Sequence, residues 1–326
     1  MDDKPKKKSV KTRTPLFLPA RRALLAILGT ALWNLGGPAT VQAQLDDFND
    51  GNDDGWTHYD PIAGAGAGPQ DLWTFPAGGY RLQAAATPNA AFGPGRVASL
   101  RQETNFSGFF LNVDLADWND TLTQAFGLFA RVQPSPSLGT TKGYLFGYVS
   151  GAGHYAQIVR VTNERTFSLP GSPPVPLVLV PGNRYRMVFI GTGAQLVGRI
   201  YQLPDTMTPL VTVTGMDSNY ADGTAGMLAF SLNPAPQAVD ATFDNYSAGD
   251  VEPPHLNLNS QISGDFILSW ALAATGFKLQ SSETLPATSW TDLSEDLIVI
   301  DDHAGTKTYF GTTGASGNKF FRLFRP

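Results

Sequence analysis

Cysteine is absent from the 326 residues, which excludes disulfides, thiolate metal sites, iron–sulfur clusters and thiol nucleophiles. Histidine is scarce. His58, His154, His255 and His303 stand far apart, and no H-E-x-x-H pair occurs. Glutamate is nearly as scarce, with Glu103, Glu164, Glu252, Glu283 and Glu295 the whole set. No G-x-S-x-G elbow and no G-x-x-x-x-G-K-S/T loop is present, so the sequence carries neither a nucleophile-elbow motif nor a P-loop motif. After residue 43 no apolar run approaches the roughly 20 residues of a membrane span. What remains is 42% hydrophobic, 11% aromatic and rich in Gly and Pro, enough to bury a core without helices.

The first 43 residues differ in character from the rest. Lys4, Lys6, Lys7, Lys8, Lys11, Arg13, Arg21 and Arg22 precede an apolar stretch from Ala23 to Leu35, and small residues follow up to Val41, Gln42 and Ala43. A basic region, a short apolar region and an A-x-A-like end form the layout of a secretory signal cleaved after Ala43. The alternative is a retained anchor, which Gly36, Gly37 and Pro38 interrupt. Export to the cell surface or beyond is the expectation. Without those residues the chain holds 15 basic and 26 acidic residues, net −11. Such a surface is a poor partner for nucleic acid, whose binding rests on Lys and Arg. The dominance of Asp over Glu suits turns, and it also suits oxygen-ligated cations such as calcium.

Alternation at period two dominates from residue 45 to 248. Phe109, Leu111, Val113 and Leu115 share one face, and runs at 125–132, 143–149, 155–161, 184–190, 195–201 and 226–232 have similar length. Each is rich in β-branched or aromatic residues and bounded by Gly, Pro, Asn or Asp. No capped amphipathic helix of ten residues follows the leader. The Ile62–Pro69 stretch, three Ala-Gly pairs long, reads as a flexible loop. Residues 249–256, with Pro253 and Pro254, read as a stiff linker. Beyond it, runs at 266–270, 276–281, 297–300, 306–310 and 319–324 predict a smaller all-β unit over 257–326. The expected fold is all-β: a two-sheet jelly-roll sandwich over 44–248 and a second, small β-sandwich domain.

Three segments of the larger unit resemble concanavalin A-like lectin/glucanase jelly rolls of the laminin-G type. They are Leu45 to Gly51 with Gly55, Trp56, Trp73 and Tyr80 to Leu82; Asn183 to Phe189 with Leu196 to Tyr201; and Gly223 to Phe230 with Ala241 to Tyr246. The C-terminal unit, with Leu268 to Trp270, Phe277 to Ser282, Ser289 to Asp292 and Phe320 to Pro326, resembles small modules that end secreted proteins of environmental bacteria. The first resemblance implies a carbohydrate or cell-surface glycan as partner. It also implies that Asp47 in the opening segment and Asp244 in the closing strand become neighbours able to share calcium.

Three kinds of chemistry compete. Jelly-roll glycosidases carry Glu-x-Asp-x-Glu on one strand, which sets two carboxylates about 5 Å apart. This chain has no such run, and Asp114, Asp117 and Asp120 are its nearest approach. Spacing three places Asp114 and Asp117 on opposite faces of a regular strand. Asp50 to Gly55 matches the start of an EF-hand loop, D-x-N-x-D-G, but its twelfth position is Pro61 where a bidentate carboxylate is required. A sugar surface would use exposed aromatics beside polar side chains. The candidates are Trp118 with Asp117 and Asn119, and Tyr144, Tyr148, His154 and Tyr155. The leading expectation is a secreted, non-catalytic lectin-like protein. A diverged jelly-roll glycoside hydrolase and a purely structural surface protein are the alternatives.

Overall fold

The computed structural model describes residues 44–101, 105–134, 136–151, 153–232, 237–250, 254–260, 265–272, 276–284, 289–312 and 319–324. The leader, Glu103, Glu252 and Pro253 lie outside the described residues.

Strands follow in the order β1 (Gln44–Asp46), β2 (Trp56–Tyr59), β3 (Leu72–Thr74), β4 (Tyr80–Ala84), β5 (Arg96–Arg101), β6 (Phe109–Trp118), β7 (Gln124–Val132) and β8 (Lys142–Ser150). Then come β9 (Tyr155–Thr162), β10 (Arg165–Ser168), β11 (Val175–Pro176), β12 (Tyr185–Thr192), β13 (Gln195–Gln202), β14 (Val211–Met216), β15 (Thr224–Ser231) and β16 (Val239–Gly249). They form two eight-stranded sheets. Sheet A runs β14-β13-β12-β6-β16-β4-β3, with β1 added on β16. Sheet B runs β10-β9-β8-β7-β15-β5-β2, with β11 added on β9. Neighbouring strands pair antiparallel, and the architecture is an all-β sandwich of jelly-roll type.

Alternation sets which side chains meet between the sheets. Phe109, Leu111, Val113 and Leu115 of β6 pack inward against Phe126, Leu128, Tyr144, Phe146 and Met227 of sheet B. The other face of sheet B is apolar too. Leu100, Phe129, Leu145, Val149, Val159 and Leu228 form a second cluster there. That is why β7 is buried along its whole length and β8 is buried from Gly143 onward. The outer face of sheet A combines a small apolar cluster of Phe110, Val188 and Tyr201 with a set of ion pairs. Arg186 Nε lies 2.7 Å from Asp114, Arg81 grips Asp240 at 2.5 and 2.8 Å, and Arg184 pairs with Asp244.

Close approach of the sheets explains one glycine. A Cβ on Gly198 of β13 would meet ring carbons of Phe146 at 2.2 Å. We expect Gly198→Ala to cost about 1–3 kcal/mol, the usual penalty for overpacking, read as a lower urea midpoint with an unchanged slope.

The 62–69 stretch is more ordered than its composition suggests. A single helical turn, α1 (Pro61–Gly64), starts there because Pro61 occupies its first position and Asp60 accepts the Ala63 N–H at 3.0 Å. Asp60 also accepts the Asp71 N–H at 2.9 Å and so closes the loop.

The C-terminal segment has β17 (Asn257–Ser260), β18 (Asp265–Ala271), β19 (Lys278–Ser282), β20 (Thr291–Asp292), β21 (Ile298–Asp301), β22 (Thr306–Thr312) and β23 (Phe320–Phe324). They make a four-stranded sheet, β17-β18-β22-β21, and a three-stranded one, β20-β19-β23. Phe266, Leu268, Trp270 and Leu279 form its core. No helix among the described residues is long and apolar enough to cross a membrane.

Candidate functional site

A basin of about 700 Å³ opens on the described surface. It is lined by Leu45, Asp46 and Asp47 from the opening segment, and by Asp50, Asn52 and Asp54 from the loop that follows. Asn112 of β6, Asn245, Tyr246 and Ser247 of β16, and Arg101 complete the wall. The register explains the gathering, because β1 lies on β16 with Asp46 opposite Tyr246, while Asn112 of β6 stands opposite Ser247.

The acidic loop is held by its own side chains. Asp47 accepts the Asn49 N–H at 3.2 Å, Asp50 that of Asn52 at 3.2 Å, and Asn52 that of Asp54 at 2.9 Å. These are Asx turns, the local alternative that Asp and Asn offer the backbone. Asp46 is anchored more deeply. It accepts the Trp56 indole N–H at 2.7 Å and lies 3.5 Å from Arg101, whose guanidinium also donates to the Asp54 carbonyl at 3.1 Å. Asp53 points away from the basin. It meets His58 Nε2 at 2.5 Å and the Tyr80 hydroxyl at 2.5 Å, and the His58 ring stacks on Trp73 at 3.9 Å. Burial, with the neighbouring Asp53 carboxylate, pushes the Tyr80 phenol well above its usual range.

Chemically the basin offers four carboxylates, three amides, a serine hydroxyl and one guanidinium. It would repel anions. A neutral ligand dense in hydroxyls would find acceptors on every side. Tyr246 offers no ring for stacking, since it is 1% exposed and packs edge-on against Trp56 at 4.8 Å.

Several sequence candidates stand elsewhere. Tyr144 and Tyr148, expected as exposed aromatics, are wholly buried core residues. Tyr144 donates to Asp217 at 2.6 Å, and burial followed by that carboxylate pushes its phenol up to about 12. Tyr148 accepts the Leu179 N–H at 3.1 Å. Trp118 is also core, 5% exposed, with its ring against Phe126, Tyr148 and Tyr185 and its indole N–H on Asp120 at 2.9 Å. Asp117 and Asn119 on either side of it are exposed. His154 and Tyr155 are half-buried, His154 against the Tyr148 hydroxyl at 3.1 Å. A register shift between β6 and β16 returns Asp117 to the outward face of Asp114, against the regular-strand expectation. Asp114 is nevertheless held by Arg186 and by Asn245 at 3.0 Å.

Asp47 is exposed on the basin rim. Asp244 has both oxygens engaged, one by Arg184 and one by the Asn245 N–H at 2.7 Å, and it does not line the basin. No group of three or more His, Asp or Glu that could hold a metal occurs among the described residues. Asn112, Asn245, Ser247 and Arg101 were not foreseen as site residues. Alternation alone places Asn112 outward from Leu111 and Val113.

No family model matches the chain and no curated protein matches it. Among solved structures it is similar to a carbohydrate-binding module from Bacillus subtilis, with 14% identity, a TM-score of 0.42, and coverage of 60% of this chain and 95% of that one. Lectin II from Ulex europaeus gives 10% identity, a TM-score of 0.43, and coverage of 65% and 99%. A GH43 protein from Bacillus licheniformis gives 11%, 0.43, 63% and 39%. Likenesses of this depth carry no argument about ligand or reaction.

Proposed function

We propose that this is an exported, non-catalytic, lectin-like protein that takes a neutral glycan in the acidic basin. The observation that carries the reading is the basin itself. A cavity of about 700 Å³ is lined almost wholly by Asp, Asn, Ser and Arg, the side chains that fix sugar hydroxyls. The arginine-held state of Asp114, Asp240 and Asp244 supports the non-catalytic half, because a carboxylate committed to a guanidinium is a poor proton donor.

Affinity electrophoresis of the purified protein through neutral and amino-sugar polysaccharides, with calcium and with chelator, tests it. Retention on at least one polysaccharide is expected. Asn112→Ala combined with Asp50→Ala should weaken it at least about tenfold, the equivalent of 1.4 kcal/mol, with the β-sheet circular dichroism unchanged. Asp117→Ala, outside the basin, should leave it unchanged. Passage of the wild-type protein through every matrix without delay would sink the reading.

A further inference from the structure

β21 forms one edge of the four-stranded sheet in the C-terminal segment, paired with β22 and with no strand on its other side among the described residues. Every second residue of such an edge turns its N–H and C=O outward, unclaimed by the ladder. Soluble proteins guard open edges with Lys, Pro, bulges or polar sequence. The opposite edge does so, since β17 reads Asn-Leu-Asn-Ser. β21 does not. Leu297 at its entry, then Ile298, Val299 and Ile300, run without a charge or a proline, and Leu297, Val299 and Ile300 are each more than half exposed. The pairing with β22 is regular, with no bulge.

Both faces beside this edge are apolar. Val299 shares the outer face with Thr308, and Phe310, 59% exposed, stands two residues further along β22. Ile298 and Ile300 share the inner face, where with Trp270, Phe277, Leu279 and Leu293 they line a cavity of about 100 Å³. An apolar cavity of about 150 Å³ takes benzene, so this one takes a side chain of valine or leucine size. The flanks are acidic. Glu295 and Asp296 precede the apolar run and Asp301 and Asp302 follow it, all four exposed, while Lys307 sits one strand in, opposite Ile300.

We propose that the β21 edge accepts an extended peptide as a further strand, with apolar residues at its centre and Lys or Arg on both sides. The added strand satisfies the outward backbone groups of β21. One of its alternate side chains enters the cavity beside Ile298 and Ile300, and the next lies over Val299 and Phe310. The four acids select the basic flanks. They also disfavour a second copy of the same edge. Antiparallel self-pairing centred on Val299 sets Asp296 of each copy opposite Asp302 of the other, and like charges directly opposite destabilise a sheet.

Fluorescence anisotropy with the full chain tests this, using the labelled, end-blocked peptide Lys-Lys-Val-Thr-Val-Thr-Val-Lys-Lys. A saturable rise is expected. The same peptide N-methylated at its core amides keeps its side chains and charge but cannot pair as a strand, so it should bind at least tenfold more weakly. Glu in place of the four Lys should weaken binding by at least as much. Val299→Lys changes an exposed position on the outer face, so circular dichroism should stay the same while affinity for the peptide falls at least tenfold. Deuterium uptake at 297–301 should slow when the peptide is present. No saturable binding, equal binding by the N-methylated peptide, or protection that spares 297–301 would overturn the proposal. So would a dimer in sedimentation that Val299→Lys dissolves, because the edge then pairs with a second copy. None of these outcomes depends on glycan retention at the basin.

Discussion

Glu164→Ala will destabilise the protein by on the order of 3–5 kcal/mol, the cost of leaving a buried charge without its partner. Asn163 and Glu164 connect β9 to β10, and both have positive φ, 51° and 64°. A two-residue connection of that kind favours glycine at its second position, because a Cβ there crowds the backbone. Glutamate occupies it all the same, and its carboxylate explains why. It receives Arg96 Nε at 3.0 Å and a second guanidinium nitrogen at 2.8 Å, the Gly139 N–H at 2.7 Å, and the Tyr59 hydroxyl. The Arg96 and Glu164 side chains are only 6% and 13% exposed. Arg96 also donates to the Phe92 and Pro94 carbonyls at 2.9 and 2.6 Å, so one pair ties three loops to the apolar outer face of sheet B. Glu164→Gly should cost less than Glu164→Ala by about 1 kcal/mol, since glycine relaxes the turn. Arg96→Met together with Glu164→Gly should recover most of the loss, because no orphan charge then remains. Urea unfolding measures all three. A loss under about 1 kcal/mol for Glu164→Ala would mean that water already screens the pair as at an exposed site.

That pair marks the boundary of what can be read from the chain alone. Alternation in Phe109, Leu111, Val113 and Leu115 depends only on neighbours in sequence, so the strands and their inward faces are legible. Glu164 and Arg96 are 68 residues apart and Glu164 and Tyr59 are 105 apart, and no local pattern joins them. Glutamate is not a turn residue, which also hides the turn. Trp118 misleads for a different reason. Its polar neighbours Asp117, Asn119 and Asp120 suggest a rim, yet the register shift in β6 turns the ring inward, and Asp120 satisfies its only polar atom. The basin is half legible. The acidic loop shows its turn-forming character, while the contributions of Asn112, Asn245 and Ser247 follow from which strands become neighbours.

Asp71→Asn will stabilise the protein at neutral and alkaline pH and leave it unchanged near pH 4. Asp71 is 6% exposed, and its Oδ2 has no donor partner. Burial, and then the Asp60 carboxylate beside it, raise its pKa from 3.8 to about 8, against the opposing pull of Arg96. In the unfolded chain Asp71 loses its proton near pH 4, as an ordinary aspartate does. Between pH 4 and 8 the folded state therefore holds a proton that the unfolded state has released, and stability falls as pH rises through that window. Above pH 8 the full cost is present, on the order of 5–6 kcal/mol at 1.36 kcal/mol for each tenfold change in proton affinity. Asparagine supplies a permanent N–H donor toward Asp60 and cannot ionise, so the variant escapes the cost. The gap between the two unfolding midpoints should open from nothing near pH 4 to its maximum near pH 8, then stay constant. Asp60→Asn should narrow the wild-type slope, since one of the two acidic neighbours is gone, and it should also weaken the cap on α1 that the Ala63 N–H reports at 3.0 Å. Parallel midpoints for wild type and Asp71→Asn across the whole range would show that Asp71 is ionised at neutral pH and that the 60–71 loop does not depend on its proton.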